Sequence, residues 1–395
     1  MKIAIISWWF AGKMGYSENL LPAALARLGH EVHVITSDLQ PDFPNYEEAY
    51  EPFIGPQLQP CGTTKINGFT LHRLPHRRTR FGIAINGLFL AIKKLKPDVI
   101  QCFGIPQMST YQSAWAAKIL KVPLFLEEHT HLSTLPTKLT IGQKINNWLV
   151  KNILGPSVCS VATHCYPIAK DVEEITIHAF GCPASKVTIQ SLGVNTVGFH
   201  PINCDQDEIS RTQIREELNF CLEDVVFIYT GRFSVDKAPI VLAQAVGHLR
   251  DKGFSVRGLF IGGGSATDNM QISACKGCVV LPFVNSSELP SYYRAADVGV
   301  WPKQESTSQL DALASGLPII ISNKVQAVER IDGCGLSYAE ENVEDLQKKM
   351  MQMLDKQVRT QLGRVGSKRV MESFSWDKIA RLREQSYLDA INLTL

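Results

Sequence analysis

No run of eighteen apolar residues occurs in the 395-residue chain, so no segment reads as a membrane-spanning helix. Met1 to Gly12 lacks a basic leading region and a small-residue cleavage site, and reads as a first strand. Internal repeats and low-complexity tracts do not stand out. The ten cysteines have no framework spacing. Their one close pair, Cys275 and Cys278, lacks the second pair a structural zinc site needs, so all read as reduced thiols and the expected location is the cytosol.

Acidic residues are missing from Pro52 to Pro97, where Lys65, Arg73, Arg77, Arg78, Arg80, Lys93, Lys94 and Lys96 lie. The first 200 residues hold 18 Lys and Arg against 13 Asp and Glu, and the remainder 22 against 25, so the halves carry +5 and −3. One reading makes residues 52–97 a contact for an anionic membrane surface or acceptor, since basic residues contribute about 1 kcal/mol each beside a negative leaflet. The other reading is packing. Ile85, Leu88, Phe89, Ile92 and Leu95 form a helical stripe, with the lysines as its solvated face. A formal net charge of only +2 gives no reason to expect a nucleic-acid partner.

At 45% hydrophobic, a chain of this length buries two cores. Strands alternate with helices in both halves, which predicts parallel sheets covered on both faces. In the first half the expected strands are near Ile3 to Ser7, Val32 to Thr36, Val99 to Phe103, Leu124 to Glu127 and Val158 to Ala162, with helices from Glu18 to Leu28 and Tyr111 to Leu120. The second half has strands near Val225 to Tyr229, Val256 to Ile261, Val279 to Pro282, Val298 to Trp301 and Ile319 to Ser322. The polar stretch Asn203 to Ser210 reads as a linker. The fold class is therefore α/β, two doubly wound Rossmann-like domains: residues 1–200, residues 201–375, and a last helix within 376–395.

Tyr229-Thr-Gly-Arg-Phe-Ser-Val-Asp-Lys237 places a glycine turn after an apolar run, with Arg232 and Lys237 five residues apart. A guanidinium forks onto phosphate oxygens and an ammonium is a compact point charge, so the pair suits a diphosphate; the bland reading is two solvated surface charges. Downstream, Val298 to Pro302 is a buried strand, followed by Glu305-Ser-Thr-Ser308 and a helix from Gln309 to about Ser315. Ser306, Thr307 and Ser308 are N-cap candidates at a helix start that favours phosphate. Glu305 outside it suits sugar hydroxyls, or simply caps the helix. Two other motifs are weaker. Asp205-Gln-Asp207 has the spacing of a metal-holding acidic pair but lies in polar linker, and Gly262-Gly-Gly-Ser-Ala-Thr267 fails as a dinucleotide fingerprint at Thr267.

With these residues in view, the chain resembles family-4 glycosyltransferases, which have the two-Rossmann GT-B fold and retain anomeric configuration when transferring sugar from a nucleotide donor. The resemblance is carried by Lys2 to Ser7, Gly15-Tyr-Ser-Glu18, Leu28 to Thr36, Val187 to Asn195 with Phe199-His-Pro201, Gly231 to Lys237, Leu289 to Asp297 and Leu313-Ala-Ser-Gly-Leu-Pro318. It implies two domains facing a central cleft, the first for the acceptor and the second for the donor, with the last helix crossing back to the first. By the family's spacing Asp311, five residues before Gly316, stands for the second of two glutamates; the loop from Glu305 is two residues short and the acid one methylene shorter. Tyr16 replaces one of a usual glycine pair, and Thr307-Ser308 a usual Phe-Gly.

The resemblance implies His129, or less directly His131, beside the transferred sugar, Glu305 on sugar hydroxyls and Asp311 on ribose. Gly15 and Gly231 would approach phosphates, backbone near Phe283 and Val284 would read the base, and Arg232, Lys237 and the segment Ser306 to Ser308 would stabilise the leaving diphosphate. Trp8, Trp9 and Phe10 are either stacking or core residues. No metal and no cofactor is expected beyond a UDP- or GDP-linked sugar. Acceptors would be sugars, lipid-linked sugars or glycans, at the inner face of a membrane. A nucleotide-sugar 2-epimerase and a non-catalytic nucleotide-sugar-binding protein stay open, because the glutamate pair is shortened.

Overall fold

The computed structural model describes residues 1–43, 46–132, 140–325 and 332–393. The chain divides into two compact units, one of Met1–Asp42, Pro56–Leu192 and Trp376–Leu395, the other of Phe43–Gly55 and Gly193–Ser375. The residues 43–55 thus leave the first unit in mid-sequence and fold with the second.

The first unit is built on a seven-stranded sheet, in spatial order Gly62–Ile66, Phe69–Leu74, Glu31–Ser37, Lys2–Ile6, Val99–Phe103, Leu124–Glu128 and His164–Pro167. Its pairs are parallel except the outermost, Gly62–Ile66 with Phe69–Leu74. The central strands are continuous apolar runs because helices cover both faces. Lys2–Ile6 is where strand order reverses, and ligands of such sheets lie beyond the carboxyl ends of the strands at that reversal. The closing helix Trp376–Asn392 packs along Ser17–Arg27.

The second unit has six parallel strands, in the order Cys278–Leu281, Val256–Gly264, Val225–Phe233, Val298–Trp301, Ile319–Ser322 and Gly335–Tyr338. Its reversal falls on Val225–Phe233, whose end carries Gly231 and Arg232.

Two expectations are corrected. Val158 to Ala162 is not a strand: Gly155–Val161 is helical and the strand is His164–Pro167. A short apolar run fits either buried element, and the helix packs Val158 and Cys159 into the core. Asn203 to Ser210 is not linker, because a helix spans Asp205–Glu217. Arg211 and Arg215 fasten it through Asp297, at 2.8 and 3.3 Å. Asp207 accepts from the Asn203 amide and pairs with Arg294 at 3.2 Å, which gives it a structural part.

Of the acid-free segment, Pro52 to Gly55 folds with the second unit and the rest with the first. Arg77, Arg78 and Arg80 are exposed on a hairpin of His76–Thr79 and Gly82–Ile85. The helical stripe is Leu88–Leu95, with Leu88 and Ile92 buried and Lys93 and Lys94 in solvent.

One ion pair lies inside the first unit. Arg383 of the closing helix reaches Glu127 at 2.7 Å, with side chains 1% and 2% exposed, and its guanidinium carbon lies 3.4 Å from the centre of the Tyr166 ring. Removing one member of a buried pair strands the other charge. Arg383→Met should therefore destabilise the first unit by about 3–5 kcal/mol in urea unfolding. Arg27→Met, at the exposed pair with Asp377, should cost less than about 1 kcal/mol. Equal losses would mean that the buried pair does not fasten the closing helix to the first unit.

Candidate active site

In the second unit the site grows from two adjacent strand ends. Gly231 and Gly262 face each other across the parallel pair, and a Cβ on Gly262 would lie 1.8 Å from the Gly231 carbonyl oxygen. Only glycine permits this approach, which leaves backbone at the strand ends open to a ligand. Arg232 follows, about one-third exposed and 3.5 Å from Asp236. Lys237 turns back to donate from Nζ to the Glu305 carbonyl at 2.7 Å, so two motifs 68 residues apart are one structure. Burial, then the neighbouring Arg232 charge, pushes the Lys237 ammonium down to about 8.

The following helix, Ser308–Ala314, is tied to the same strand end. Thr230 and Tyr293 share a hydroxyl hydrogen bond of 2.6 Å, Tyr293 donates to the Ser308 carbonyl at 3.3 Å, and Trp301 Nε1 donates to the Thr230 carbonyl at 3.2 Å. The N-cap expectation is corrected here. Thr307 occupies that position with helical φ and ψ and makes no side-chain cap, while the amides of Gln309 and Leu310 bond back to the Ser306 and Thr307 carbonyls. The anion-attracting groups are therefore Arg232 and Lys237 more than the helix start.

Asp311 sits in the first turn of this helix, and burial raises its carboxyl to about 7. Phe283 and Val284 follow the strand Cys278–Leu281, and the Phe283 ring is stacked by Tyr50 and Phe53. Gln309 was not singled out from sequence, yet it is fully buried with neither amide atom partnered among the described residues.

In the first unit, His129 follows the strand Leu124–Glu128 and its Nε2 lies 2.9 Å from Glu127, whose other oxygen takes Arg383. Burial alone would lower the His129 pKa, but Glu127, Glu18 and Glu128 together raise it. Glu18 is itself raised, by burial, against the attraction of His129. Glu128 is saturated by the amides of Ile105, His129 and Thr130 and by the Thr130 hydroxyl. His131 is held by Asp171 at 3.0 Å.

Gly15 is exposed in a turn held by Asn19, which donates to the Ala11 and Met14 carbonyls. Tyr16 packs edge-on to Trp9 at 5.4 Å, and Phe10 is core. Glu18 and Glu127 escaped the sequence reading as site residues, although both stood within quoted motifs. Only the fold puts them beside one histidine.

The charge on Asp311 carries a pH signature. Its folded pKa lies above the unfolded value near 3.9, so the native state favours the protonated acid; that stabilisation is complete below about pH 4 and is lost as pH rises through about 7. Asp311→Asn should leave stability unchanged at pH 4 and raise it by about 1–3 kcal/mol at pH 8, measured by urea unfolding. The same effect at both pH values would contradict the buried carboxylate.

The family model described as Glycosyltransferase Family 4 matches residues 21–197, and the one described as Glycosyl transferases group 1 matches residues 224–356. Spore coat protein SA of Bacillus subtilis is 25% identical over 220 residues, 51% of this chain and 58% of that protein; the chain spans a little over half of its length. The D-inositol 3-phosphate glycosyltransferase of Xylanimonas cellulosilytica is 25% identical over 326 residues, 78% of this chain and 75% of that protein. Among solved structures, Anabaena HepE in complex with UDP has a TM-score of 0.69 at 13% identity, covering 98% of this chain and 100% of that one, a likeness of fold.

Proposed function

This chain belongs to the family-4 glycosyltransferases of GT-B fold, and on that premise we propose that it moves a hexose, with retention, from a UDP- or GDP-linked donor to a sugar, glycan or lipid-linked acceptor in the cytosol. The observation that carries the reading is the bond from Lys237 to Glu305, which joins a diphosphate-sized pair of cations to the segment assigned to the sugar. Two half-buried cations side by side favour an anion, and a diphosphate would draw the Lys237 pKa back up from about 8.

In the proposed reaction the acceptor oxygen bonds to the anomeric carbon as the bond from that carbon to the diphosphate oxygen breaks. The acceptor proton passes to a phosphate oxygen of the leaving group. Arg232 and Lys237 stabilise the charge that grows there, a part we assign to them and not to a metal. Glu305 holds sugar hydroxyls, Asp311 the ribose, Gly15 and Gly231 admit phosphate, and His129, whose pKa the neighbouring carboxylates raise against its burial, donates to the sugar. Support for an envelope glycan as acceptor comes from partial likeness, at 27% and 24% identity, to a putative teichuronic acid biosynthesis glycosyltransferase of Bacillus subtilis and a lipopolysaccharide N-acetylglucosaminetransferase of Salmonella typhimurium.

A specific surface supports attachment to an anionic membrane. Among the described residues no helix is long and apolar enough to cross one. The helix Ile141–Leu149, opened by a Thr140–Gln143 capping box, has no buried residue, and Ile141, Ile145 and Trp148 are 78%, 49% and 58% exposed along one face. Lys144 and Lys151 are exposed beside it, and no acid occurs from His129 to Lys170. An apolar face with cations and no acids suits a helix lying in a lipid interface. The cations of residues 52–97 would add long-range attraction to it.

Two tests follow. Arg232→Ala and Lys237→Ala should each lower sugar transfer by about two to three orders of magnitude, in a release assay for the nucleoside diphosphate. Near-normal rates would remove the clamp, tight donor binding without transfer would favour the sensor, and conversion of UDP-GlcNAc without acceptor the epimerase. For the membrane, Ile145→Ser with Trp148→Ser should abolish co-sedimentation with anionic vesicles, and Arg77, Arg78 and Arg80 changed to Ser should weaken it mainly at low salt. Pelleting equal to that of the unaltered protein in both variants would exclude these surfaces.

A further inference from the structure

The excursion Phe43–Gly55 brings a tyrosine to the donor site that the first unit's sequence would not have placed there. It contains two one-turn helices, Tyr46–Ala49 and Glu51–Ile54, the first lying against Val256–Gly264, the strand that ends in the glycine turn. Tyr50, between them, is 2% exposed. Its ring stacks on Phe283 with centroids 5.2 Å apart and packs on Phe43 at 4.8 Å, while Phe53 stacks on Phe283 at 6.1 Å.

The ring contacts explain an aromatic residue but not a phenol. The Tyr50 hydroxyl is buried and has no hydrogen-bond partner among the described residues. Leaving such a group unpaired is costly, and phenylalanine would give the same stacking without that cost. The charges that act on the hydroxyl are those of Arg232 and Asp236, which are the first cation of the proposed clamp and its neighbour. An unsatisfied donor within electrostatic reach of the guanidinium proposed to hold phosphate is matched to an oxygen of the same ligand.

We propose that Tyr50 is a donor-binding residue, whose hydroxyl donates to a phosphate oxygen of the nucleoside diphosphate that Arg232 holds, and whose ring, with Phe53, backs Phe283 at the base end. The proposal rests on the diphosphate reading given above. It makes the donor site composite in sequence, with Tyr50 and Phe53 supplied from far upstream of Phe283 and Arg232. The phenol is kept at a cost in the free protein that the ligand offsets, as functional groups often are.

The test is calorimetry on the full chain with UDP and GDP, and with uridine and guanosine as probes lacking phosphate. Tyr50→Phe should weaken the nucleoside diphosphate about ten- to a hundredfold, the usual worth of a hydrogen bond to a charged group, and leave nucleoside binding unchanged. The same variant should melt no lower than the unaltered protein. Unchanged diphosphate binding would place the phenol outside the site, and tighter binding would show that residues 43–55 compete with the nucleotide; either overturns the proposal. If the unaltered, folded chain binds neither UDP nor GDP, the diphosphate reading itself falls.

Discussion

Lys237 is a half-buried cation, and the Glu305 carbonyl 2.7 Å from its Nζ makes that position tolerable. The bond has a second consequence. It fixes the loop ahead of the helix Ser308–Ala314 against the end of Val225–Phe233, where Gly231 and Gly262 keep the backbone bare. The hydroxyl pair of Thr230 and Tyr293 holds the same loop from below. Arg232, Lys237, Glu305 and Asp311 are thereby gathered at a topological reversal of one sheet, where α/β proteins place their ligands.

The first unit solves a different electrostatic problem. Glu18, Glu127 and Glu128 lie near one histidine, and burying three carboxylates would be prohibitive without compensation. Glu128 is satisfied by backbone amides, Glu127 by Arg383 and His129, and Glu18 by a raised pKa that leaves it more easily neutral. The cation that matters most comes from the closing helix, which links the chain's last residues to the chemistry of the strand end at His129.

The central strands were legible in sequence because each is a buried apolar run, and so was the position of the Arg232, Lys237 and Glu305 segments at or just beyond strand ends. Other features needed tertiary contacts. Gly62–Ile66 is an exposed edge strand, Gly-Thr-Thr-Lys-Ile, with no apolar alternation to mark it. Val158 to Ala162 has the composition of either buried element. The helix Asp205–Glu217 reads as polar linker until Asp297, some ninety positions further on, anchors its arginines. Tyr50 could not be connected with Phe283 by any local pattern, since 233 residues separate them.

The claim on which the rest depends is that the second unit holds a nucleoside diphosphate between Arg232, Lys237 and the two glycine turns. Thermal unfolding of the full chain with UDP, GDP, ADP and their sugars tests it most directly. One base should stand out, with a ligand at a hundred times its Kd adding about 2.7 kcal/mol to stability, and the matching nucleoside monophosphate shifting the transition less. Indifference to every diphosphate, or equal response to a nucleoside and its diphosphate, would contradict the account.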